Sequence, residues 1–400
     1  MKQKYILMYK NDEVLSFLAT FGKKNKIEII DKLEHFDKAP YGINENNNDA
    51  ENNRILFKFF NARTLSSNRC DYQKIIDATG CYDDFELSFK GHGLSLSNHY
   101  WYKKENEDLK YEDINFFTNK WDDSFARCIL KGNYESLKNV SLNVPDIVTA
   151  GWAIKGWLCE DDGPTLYKLG IAEGHYEECL SEVLTSRLAR RILNKDEVVE
   201  YKLSQINERY ASASKVMIGI DEEMVPLSEF LSFELYTLFR NRNGNRENSK
   251  KFFETIKEFG LPNLYQFFVK LMCLRSLCFV NDLHFNNISI IRNLNTGNIR
   301  IAPIYDLASS FGSSRSGRAF LSNLNKGSYF LVYFIYGCLE PDWDYSWYNP
   351  DSLIGFEDEI KETLSKSDFY TVELIDNIID VYQHQKASLD EMRNKQINKV

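Results

Sequence analysis

The stretch NDLHFNNISI, residues 281–290, crowds polar side chains into a few positions and then runs into an apolar segment. Asp282 and Asn287 stand in a D-x-x-x-x-N spacing with His284 between them, and Asp306 follows 24 positions after Asp282 in APIYDLASS. Phosphoryl transfer needs such a set, because one carboxylate must accept or orient the incoming hydroxyl. An amide oxygen and a second carboxylate must hold the magnesium ions.

A β-hairpin is predicted between NNISII and NIRIAPIYD, with its turn at LNTG, residues 294–297. This hairpin would bring the asparagine and the second aspartate to the same end. An Asp- and Asn-rich turn between a helix and a strand is also common where no catalysis occurs. The D-x-x-x-x-N spacing taken alone therefore leaves a purely structural interpretation open.

NDLHFNNISI followed by IAPIYDLASS resembles the catalytic loop and metal-binding segment of the HipA-like serine/threonine kinases, whose pattern is D-x-H-x-x-N and then P-x-Y-D. The resemblance implies a bilobal protein-kinase-like fold that binds ATP and Mg²⁺. It implies that Asp282 is the catalytic base, and that Asn287 and Asp306 are magnesium ligands. His284 and Tyr305 would be neighbours of the nucleotide.

A kinase also needs a lysine for the α- and β-phosphates and a glutamate that positions this lysine. The resemblance assigns these roles to Lys168, at the end of TLYKLG, and to Glu182, 14 residues further on in LSEVLTSRLARRI. Glu178, one helical turn earlier, is the alternative glutamate. Taken alone, Lys168 also fits a solvated strand end.

Two further segments resemble nucleotide-binding parts of the family. TAGWAIKG, residues 149–156, resembles the phosphate-covering loop, which implies roles for Gly151, Lys155 and Gly156. VMIGID, residues 216–221, falls where the family's hinge contacts adenine, which points to Ile218 and Ile220. Plain turns and hydrophobic strand packing explain the same residues equally well.

The sequence departs from the family at two places. Val148 stands where HipA carries a regulatory serine at the start of the phosphate loop, although Thr149 lies beside it. The first 130 residues are difficult to align with the N-terminal part of HipA. The firm resemblance therefore covers about 145–310.

Composition limits the classes of function. The 400 residues suit more than one lobe, and the net charge of −9 argues against a surface built to bind nucleic acid. Eight cysteines without a C-x-x-C pair favour reduced thiols in the cytoplasm. The apolar run LYQFFVKLMCLRSLCFV contains Gln266, Lys270 and Arg275, which indicates a buried helix and not a membrane span.

The pattern along the chain predicts an α+β protein with three parts: an N-terminal α+β extension over 1–135, a β-rich small lobe over 136–225 and a mostly helical large lobe over 226–400. The extension begins with a hairpin in YILMYKNDEVLSFLAT and contains a helix in DYQKIIDATG and strands in ELSFKGHGLSLSNHYWY. A second hairpin turns at the acidic EDDG, residues 160–163, and a helix is predicted over 177–194. SSFGSSRSGRAF, residues 309–320, is typical of a mobile, solvated segment beside a substrate site.

The sequence thus predicts a HipA-like kinase that transfers the γ-phosphate of ATP to a serine or threonine of a protein, plausibly as a toxin or in defence. A small DNA-binding antitoxin is the expected partner, with no membrane and no direct nucleic-acid binding. Two alternatives stay open at this point. One is a lipid or small-molecule kinase of related fold, and the other is a nucleotide-binding pseudokinase that serves as an interaction module.

Overall fold

The computed structural model describes residues 2–170, 178–241, 245–322 and 339–398. The strands are β1 Lys2–Tyr9, β2 Asp12–Thr20, β3 Lys26–Lys32, β4 Tyr100–Lys104, β5 Lys155–Glu160, β6 Gly163–Leu169, β7 Lys202–Ile206, β8 Arg209–Lys215, β9 Glu222–Pro226, β10 Ser289–Asn293 and β11 Ile299–Ile301. The helices are α1 Asp49–Asn61, α2 Tyr72–Thr79, α3 Asp84–Lys90, α4 Tyr111–Ile114, α5 Ser124–Lys131, α6 Glu178–Ile192, α7 Leu227–Phe230, α8 Phe233–Arg240, α9 Arg246–Glu258, α10 Leu264–Cys278, α11 Arg315–Ser322, α12 Phe356–Leu364 and α13 Val372–Ile397.

The chain forms two compact units. Unit 1 comprises Met1–Lys168, Lys215–Val225 and Arg292–Asn298. Unit 2 comprises Leu169–Ser214, Pro226–Ile291 and Ile299–Val400. The division into 1–135, 136–225 and 226–400 stays a prediction.

Unit 1 is built on an antiparallel sheet of strand order β3-β2-β1-β4. Leu7 and Tyr9 of β1 join a core with Phe60 of α1 and Phe89 of α3. The alternate residues of β1, such as Met8, join a second core. Because both faces of the sheet are covered, β1 consists of an almost continuous apolar run.

The first predicted hairpin and the first predicted helix are both confirmed. β1 and β2 pair antiparallel, and helix α2 covers eight residues of DYQKIIDATG. The turn between the strands consists of Lys10 and Asn11, of which Lys10 has a positive φ of 50°. A positive φ at a turn position matches the right-handed twist of the flanking strands.

The strand prediction for ELSFKGHGLSLSNHYWY, residues 86–102, is wrong except for its last three residues. Helix α3 occupies Asp84–Lys90, and only Tyr100–Lys104 forms a strand. The side chain of Asp83 accepts a hydrogen bond from the Glu86 amide (2.8 Å), which caps the helix. Phe85 and Phe89 are four residues apart, so both face the core from the same side of the helix.

The second hairpin is confirmed, with its turn in the predicted acidic stretch. β5 and β6 pair antiparallel from Lys155 opposite Lys168 to Glu160 opposite Gly163. Gly163 has a φ of 108°, a conformation that L side chains rarely adopt. The preceding segment Pro145–Val148 is a 3₁₀ helix.

Unit 2 contains the helices α6 to α13 and the β7–β8 hairpin. The predicted buried helix is confirmed as α10, which is apolar on every side and buries almost all of its residues. Ser276 of α10 donates a hydrogen bond to Gln385 of α13 (2.9 Å). The predicted helix at 177–194 is observed as α6 from Glu178 to Ile192, and residue 177 lies outside the described residues. In the parts of the chain that the structure describes, no helix is long and apolar enough to cross a membrane.

Candidate active site

The loop that follows α10 is anchored by an aromatic cluster of unit 2. Phe285 lies in a 3₁₀ turn, Phe285–Asn287, and its side chain is fully buried. Its ring packs against Phe239 with centroids 4.6 Å apart, and against Phe252 and Phe268. Burial of one aromatic side chain therefore fixes the loop while its polar neighbours stay near the surface.

The structure brings three of the predicted site residues together in this loop. The His284 Nε2 atom lies 3.4 Å from a carboxylate oxygen of Asp282. The side-chain amide of Asn287 donates to the backbone oxygen of Asp282 (3.4 Å), and its backbone amide donates to His284 O (3.0 Å). The Asp282 side chain is 64% exposed, so its carboxylate is accessible from solvent.

The predicted hairpin at LNTG is confirmed and brings the two halves of the site to one end. The Ala302 amide donates to Ser289 O (2.8 Å), and the turn ends on Gly297 with a φ of 72°. The Tyr305 hydroxyl contacts Ser289 Oγ at 2.7 Å and donates to Asn286 O (3.4 Å). Burial raises the pKa of Tyr305, so its hydroxyl stays neutral.

Asp306 has a left-handed backbone, with a φ of 56°. Its amide donates to the hydroxyl of Tyr201 (3.2 Å). A non-glycine residue in this conformation is uncommon and is often found at functional sites, where the surrounding structure compensates for the strain. Here the backbone hydrogen bond to Tyr201 holds the residue.

The segment after Asp306 is tied to both the loop and helix α6. The Asn281 amide donates to Ser309 O (2.9 Å), and its side chain donates to Ser314 Oγ (2.9 Å). From α6, Ser181 donates to Ala308 O and Thr185 Oγ1 lies 2.8 Å from Ser310 Oγ. These contacts fix the backbone two to four residues beyond Asp306.

The prediction that residues 309–320 form a solvated segment is wrong for its first half. Ser310 and Ser313 are buried, and Ser313 donates to Ala308 O (2.8 Å). Their hydroxyls therefore serve packing and hydrogen bonding within the fold. The composition of this stretch misled the prediction because small polar residues suit tight buried turns as well as exposed loops.

The two glutamates of α6 are both buried. Glu182 accepts a hydrogen bond from Ser212 of β8 (2.5 Å). The backbone oxygen of Glu178 accepts one from Ser181 (3.0 Å). The choice between them as partner of Lys168 stays a prediction.

The two lysines that are predicted to bind phosphate lie opposite one another in unit 1. Lys155 and Lys168 are register partners in the β5–β6 hairpin, so their side chains leave the same face. Lys168 is buried, and Lys155 Nζ donates to Ala150 O (2.6 Å).

The two glycines of TAGWAIKG differ in their structural roles. Gly151 has a φ of 83°, and a Cβ atom there would lie 2.9 Å from Lys155 Nζ, so the ammonium group sits over the glycine. Gly156 lies in β5, where a Cβ atom would come within 2.9 Å of Ala126 Cβ in α5. The close approach of α5 therefore explains Gly156 without any ligand.

The predicted adenine-contacting segment 216–221 is irregular and does not form a strand. Ile218 is buried, whereas the side chain of Ile220 is among the exposed large hydrophobic residues. The backbone oxygen of Gly219, between them, accepts a hydrogen bond from His99 Nε2 (3.1 Å). Contact of either isoleucine with adenine stays a prediction.

Comparison with known proteins identifies the fold. No protein-family model matches the chain, and no curated protein matches it by sequence. The HipA chain of a Shewanella oneidensis toxin–antitoxin complex with HipB and operator DNA is similar in structure, with a TM-score of 0.51 and 10% identity, over 98% of this chain and 99% of that chain. The chain has a HipA-like kinase fold. The predicted α+β, kinase-like fold class is thereby confirmed.

A second similar structure is the proinflammatory kinase CtkA of Helicobacter pylori. It has 14% identity and a TM-score of 0.40, over 61% of this chain and 94% of that chain.

The oxygen atoms of the candidate site are of the kind that a hard divalent cation binds. Asn287 donates through its amide nitrogen to Asp282 O, so its side-chain oxygen is the atom that could face a cation. Amide and carboxylate oxygens are the ligands that Mg²⁺ takes in kinases. Among the described residues, no group of three or more His, Cys, Asp or Glu side chains is arranged to hold a metal ion. The predicted pair of ligands, Asp306 and Asn287, contains only one side chain of these four types, because Asn287 is an amide.

Several residues that support the candidate site are not predicted from the sequence. Tyr201 and Ser181 contact the Asp306 segment from positions more than 100 residues away in sequence. Arg69 contacts Thr149 and Lys155 across about 80 residues. No local pattern marks such residues, because their importance arises only when the chain folds.

Proposed function

We propose that the chain is an ATP- and Mg²⁺-dependent serine/threonine protein kinase of the HipA-like type. The observation that carries this proposal is the grouping of Asp282, His284 and Asn287 in one loop. The segment that follows the β10–β11 hairpin and contains Tyr305 and Asp306 lies next to this loop. The order and spacing of these residues match the family's two motifs, and the fold is of the same type. An Asp- and Asn-rich turn without a function would have no reason to match both the motifs and the fold of one family.

In this proposal Asp282 orients the acceptor hydroxyl and takes its proton. The hydroxyl oxygen forms a bond to the γ-phosphorus, and the bond from that phosphorus to the β–γ bridging oxygen breaks, so ADP leaves with the electron pair. The exposed carboxylate at 3.4 Å from His284 supports this assignment, since a protein side chain can reach it. His284 would keep the carboxylate oriented between turnovers.

The other candidate residues would act on the nucleotide. Asn287 and Asp306 would hold Mg²⁺, which when bound neutralises the phosphate charges. Lys168 and Lys155 would bind phosphate oxygens, with Gly151 and Gly156 in the covering loop and Glu182 positioning Lys168. Tyr305, Ile218 and Ile220 would be neighbours of the nucleotide. Lys155 and Lys168 are register partners in the β5–β6 hairpin, which fits a shared role of the two side chains.

A toxin or defence role and a small DNA-binding antitoxin partner are part of the same proposal. The similar HipA chain was solved together with HipB and operator DNA, which supports a partner of that kind. The seven cysteines in the described part of the chain form no disulfide bond, which suits the cytoplasm.

The test is a transfer assay with the purified chain, labelled ATP, Mg²⁺ and a protein lysate. We expect label on protein serine or threonine, and a loss of at least about 100-fold in Asp282→Asn, the factor that general-base catalysis supplies. Asp306→Asn should lose activity through weaker Mg²⁺ binding, so extra Mg²⁺ should restore part of it. Asp376→Asn, on the exposed side of α13, is the matched control and should keep full activity.

Each alternative has its own outcome in the same assay. Label on added lipid vesicles or on a small molecule, with none on protein, would favour a lipid or small-molecule kinase. Nucleotide binding without any transfer would favour a pseudokinase. Equal labelling by the wild type and Asp282→Asn would reject the assigned site.

A further inference from the structure

A segment of the N-terminal part of the chain contacts the predicted phosphate-covering loop. We call residues 66–71 the brace and residues 149–156 the glycine loop. The Ser66 amide donates to Thr149 O (3.4 Å), and the Cys70 amide donates to Trp152 O (3.0 Å). Backbone bonds therefore join the brace to the beginning and the middle of the loop.

The guanidinium group of Arg69 joins the brace to both ends of the glycine loop. Arg69 donates through Nη1 to Thr149 Oγ1 (2.8 Å) and through Nη2 to Lys155 O (2.8 Å). Thr149 Oγ1 in turn donates to Asp146 O (2.8 Å). The planar fork of an arginine can reach both ends of a loop at once, which a lysine ammonium group cannot do in the same way.

The brace contains a buried ion pair between Arg69 and Asp71. Arg69 and Asp71 are both buried, and Arg69 Nε donates to Asp71 Oδ1 at 2.6 Å. Tyr134 donates to the other carboxylate oxygen (3.0 Å). A buried charge is tolerated only when it is paired and hydrogen-bonded, so the guanidinium orientation is fixed before any ligand arrives.

We propose that Arg69 is a positioning residue for the glycine loop, and that the brace sets the affinity for nucleotide by holding this loop in its binding conformation. The inference rests on the proposed function, because the loop's role as a phosphate cover belongs to that proposal. A loop ordered in advance loses less entropy when ATP binds, so affinity rises without any contact between Arg69 and the ligand.

The decisive variants change the contact between brace and loop and leave the buried ion pair intact. Thr149→Val removes the hydroxyl that Arg69 binds, and Thr149→Ser keeps it. Tyr134→Phe removes a hydrogen bond to Asp71 but none to the loop, so it is the matched control. Arg69→Met combined with Asp71→Asn removes the whole pair without leaving an unpaired buried charge.

Two readouts separate positioning from a general loss of stability. The first readout compares the change in KM and Kd for ATP with the change in kcat. The second is the rate of hydrogen–deuterium exchange of the amides of residues 150–156 in the absence of nucleotide. We expect KM and Kd about five-fold higher in Thr149→Val, the factor that one net hydrogen bond supplies. The increase should be larger in the double variant, with kcat nearly unchanged and faster exchange in the loop. Thr149→Ser and Tyr134→Phe should stay within about two-fold of the wild type, because each keeps the bond between brace and loop.

The outcomes distinguish this inference from the proposed function. If the wild type binds ATP and both Thr149→Val and the double variant bind it equally well, the inference is overturned but the proposed function is not. Weaker binding without faster exchange at 150–156 also overturns it, since the loop would not have been released. If the wild type binds no ATP, the proposed function itself fails, and the inference fails with it.

Discussion

At the scale of single residues, His99 is a buried imidazole with a hydrogen-bond partner on each nitrogen. The Tyr111 hydroxyl lies 2.5 Å from Nδ1, and Nε2 donates to Gly219 O (3.1 Å). Burial, together with the nearby Lys10 ammonium, lowers the pKa of His99 from 6.5 to about 4, against the opposing effects of Gly219 O and Asp221. The neutral form is therefore the native form.

His99 predicts an acid-dependent loss of stability. Its pKa is lower in the folded chain than in the unfolded one, so between pH 6.5 and about 4 the unfolded chain binds the extra proton. The stabilisation is present above pH 6.5 and is lost as the pH falls towards 4. We expect the wild type to lose up to about 3 kcal/mol over this range relative to His99→Gln, whose amide can still donate to Gly219 O.

Urea unfolding at a series of pH values measures this difference, because both proteins share every other titrating group. The prediction is contradicted if the difference in unfolding free energy between the wild type and His99→Gln is the same at pH 7 and pH 4.5.

At the scale of elements, the packing of α5 on β5 depends on Gly156. A Cβ atom at this position would come within 2.9 Å of Ala126 Cβ and 3.2 Å of Ala126 Cα. Gly156→Ala should therefore destabilise the fold by about 1–3 kcal/mol, the usual cost of overpacking.

Thermal and chemical unfolding measure the effect, and Gly219→Ala is the control because its nearest atom would be 3.6 Å away. Adding Ala126→Gly to Gly156→Ala should recover part of the loss, since the two positions are in contact. Additive effects of the two substitutions would show that this contact is not the cause.

Local patterns explain which elements could be predicted from the sequence. The hairpin at Lys10, the EDDG turn and helix α10 follow from alternation, turn residues and an apolar run, and all three are present. Glu86–Lys90 was predicted as a strand, because five residues of mixed polarity fit both periods, and the helix cap at Asp83 decided for the helix.

In the candidate site, too, some residues are marked by local spacing and others come together only when the chain folds. Asp282, His284 and Asn287 can be predicted because they lie within six positions of the sequence, where the spacing is itself the signal. Tyr201 and Arg69 could not be found, since their hydrogen bonds to Asp306 and Thr149 link distant parts of the chain. Ser310 was predicted to be solvated, although its hydroxyl lies in a buried contact with Thr185.

At the scale of the whole molecule, charge predicts how the chain behaves towards DNA. Its formal net charge is −9, and non-specific binding to DNA depends on neutralising phosphates with clustered lysine and arginine. We expect the purified chain alone to give no shift of duplex DNA at micromolar concentration and about 0.15 M salt. A micromolar shift that disappears at higher salt would contradict this expectation and would reveal a basic surface.

The last prediction concerns the N-terminal extension, residues 1–135. The β5–β6 hairpin lies in the same compact unit as the β3-β2-β1-β4 sheet, with α5 packed against Gly156. Asp123 also accepts a hydrogen bond from the Cys159 amide of β5 (3.2 Å). A chain that begins at residue 136 would therefore expose one face of this hairpin and leave the glycine loop without its brace. We expect such a chain to lose the cooperative unfolding transition of the full chain in calorimetry, together with ATP binding. A truncated chain that unfolds cooperatively and binds ATP would instead make residues 1–135 a separable domain, because the hairpin would then keep its fold without α5.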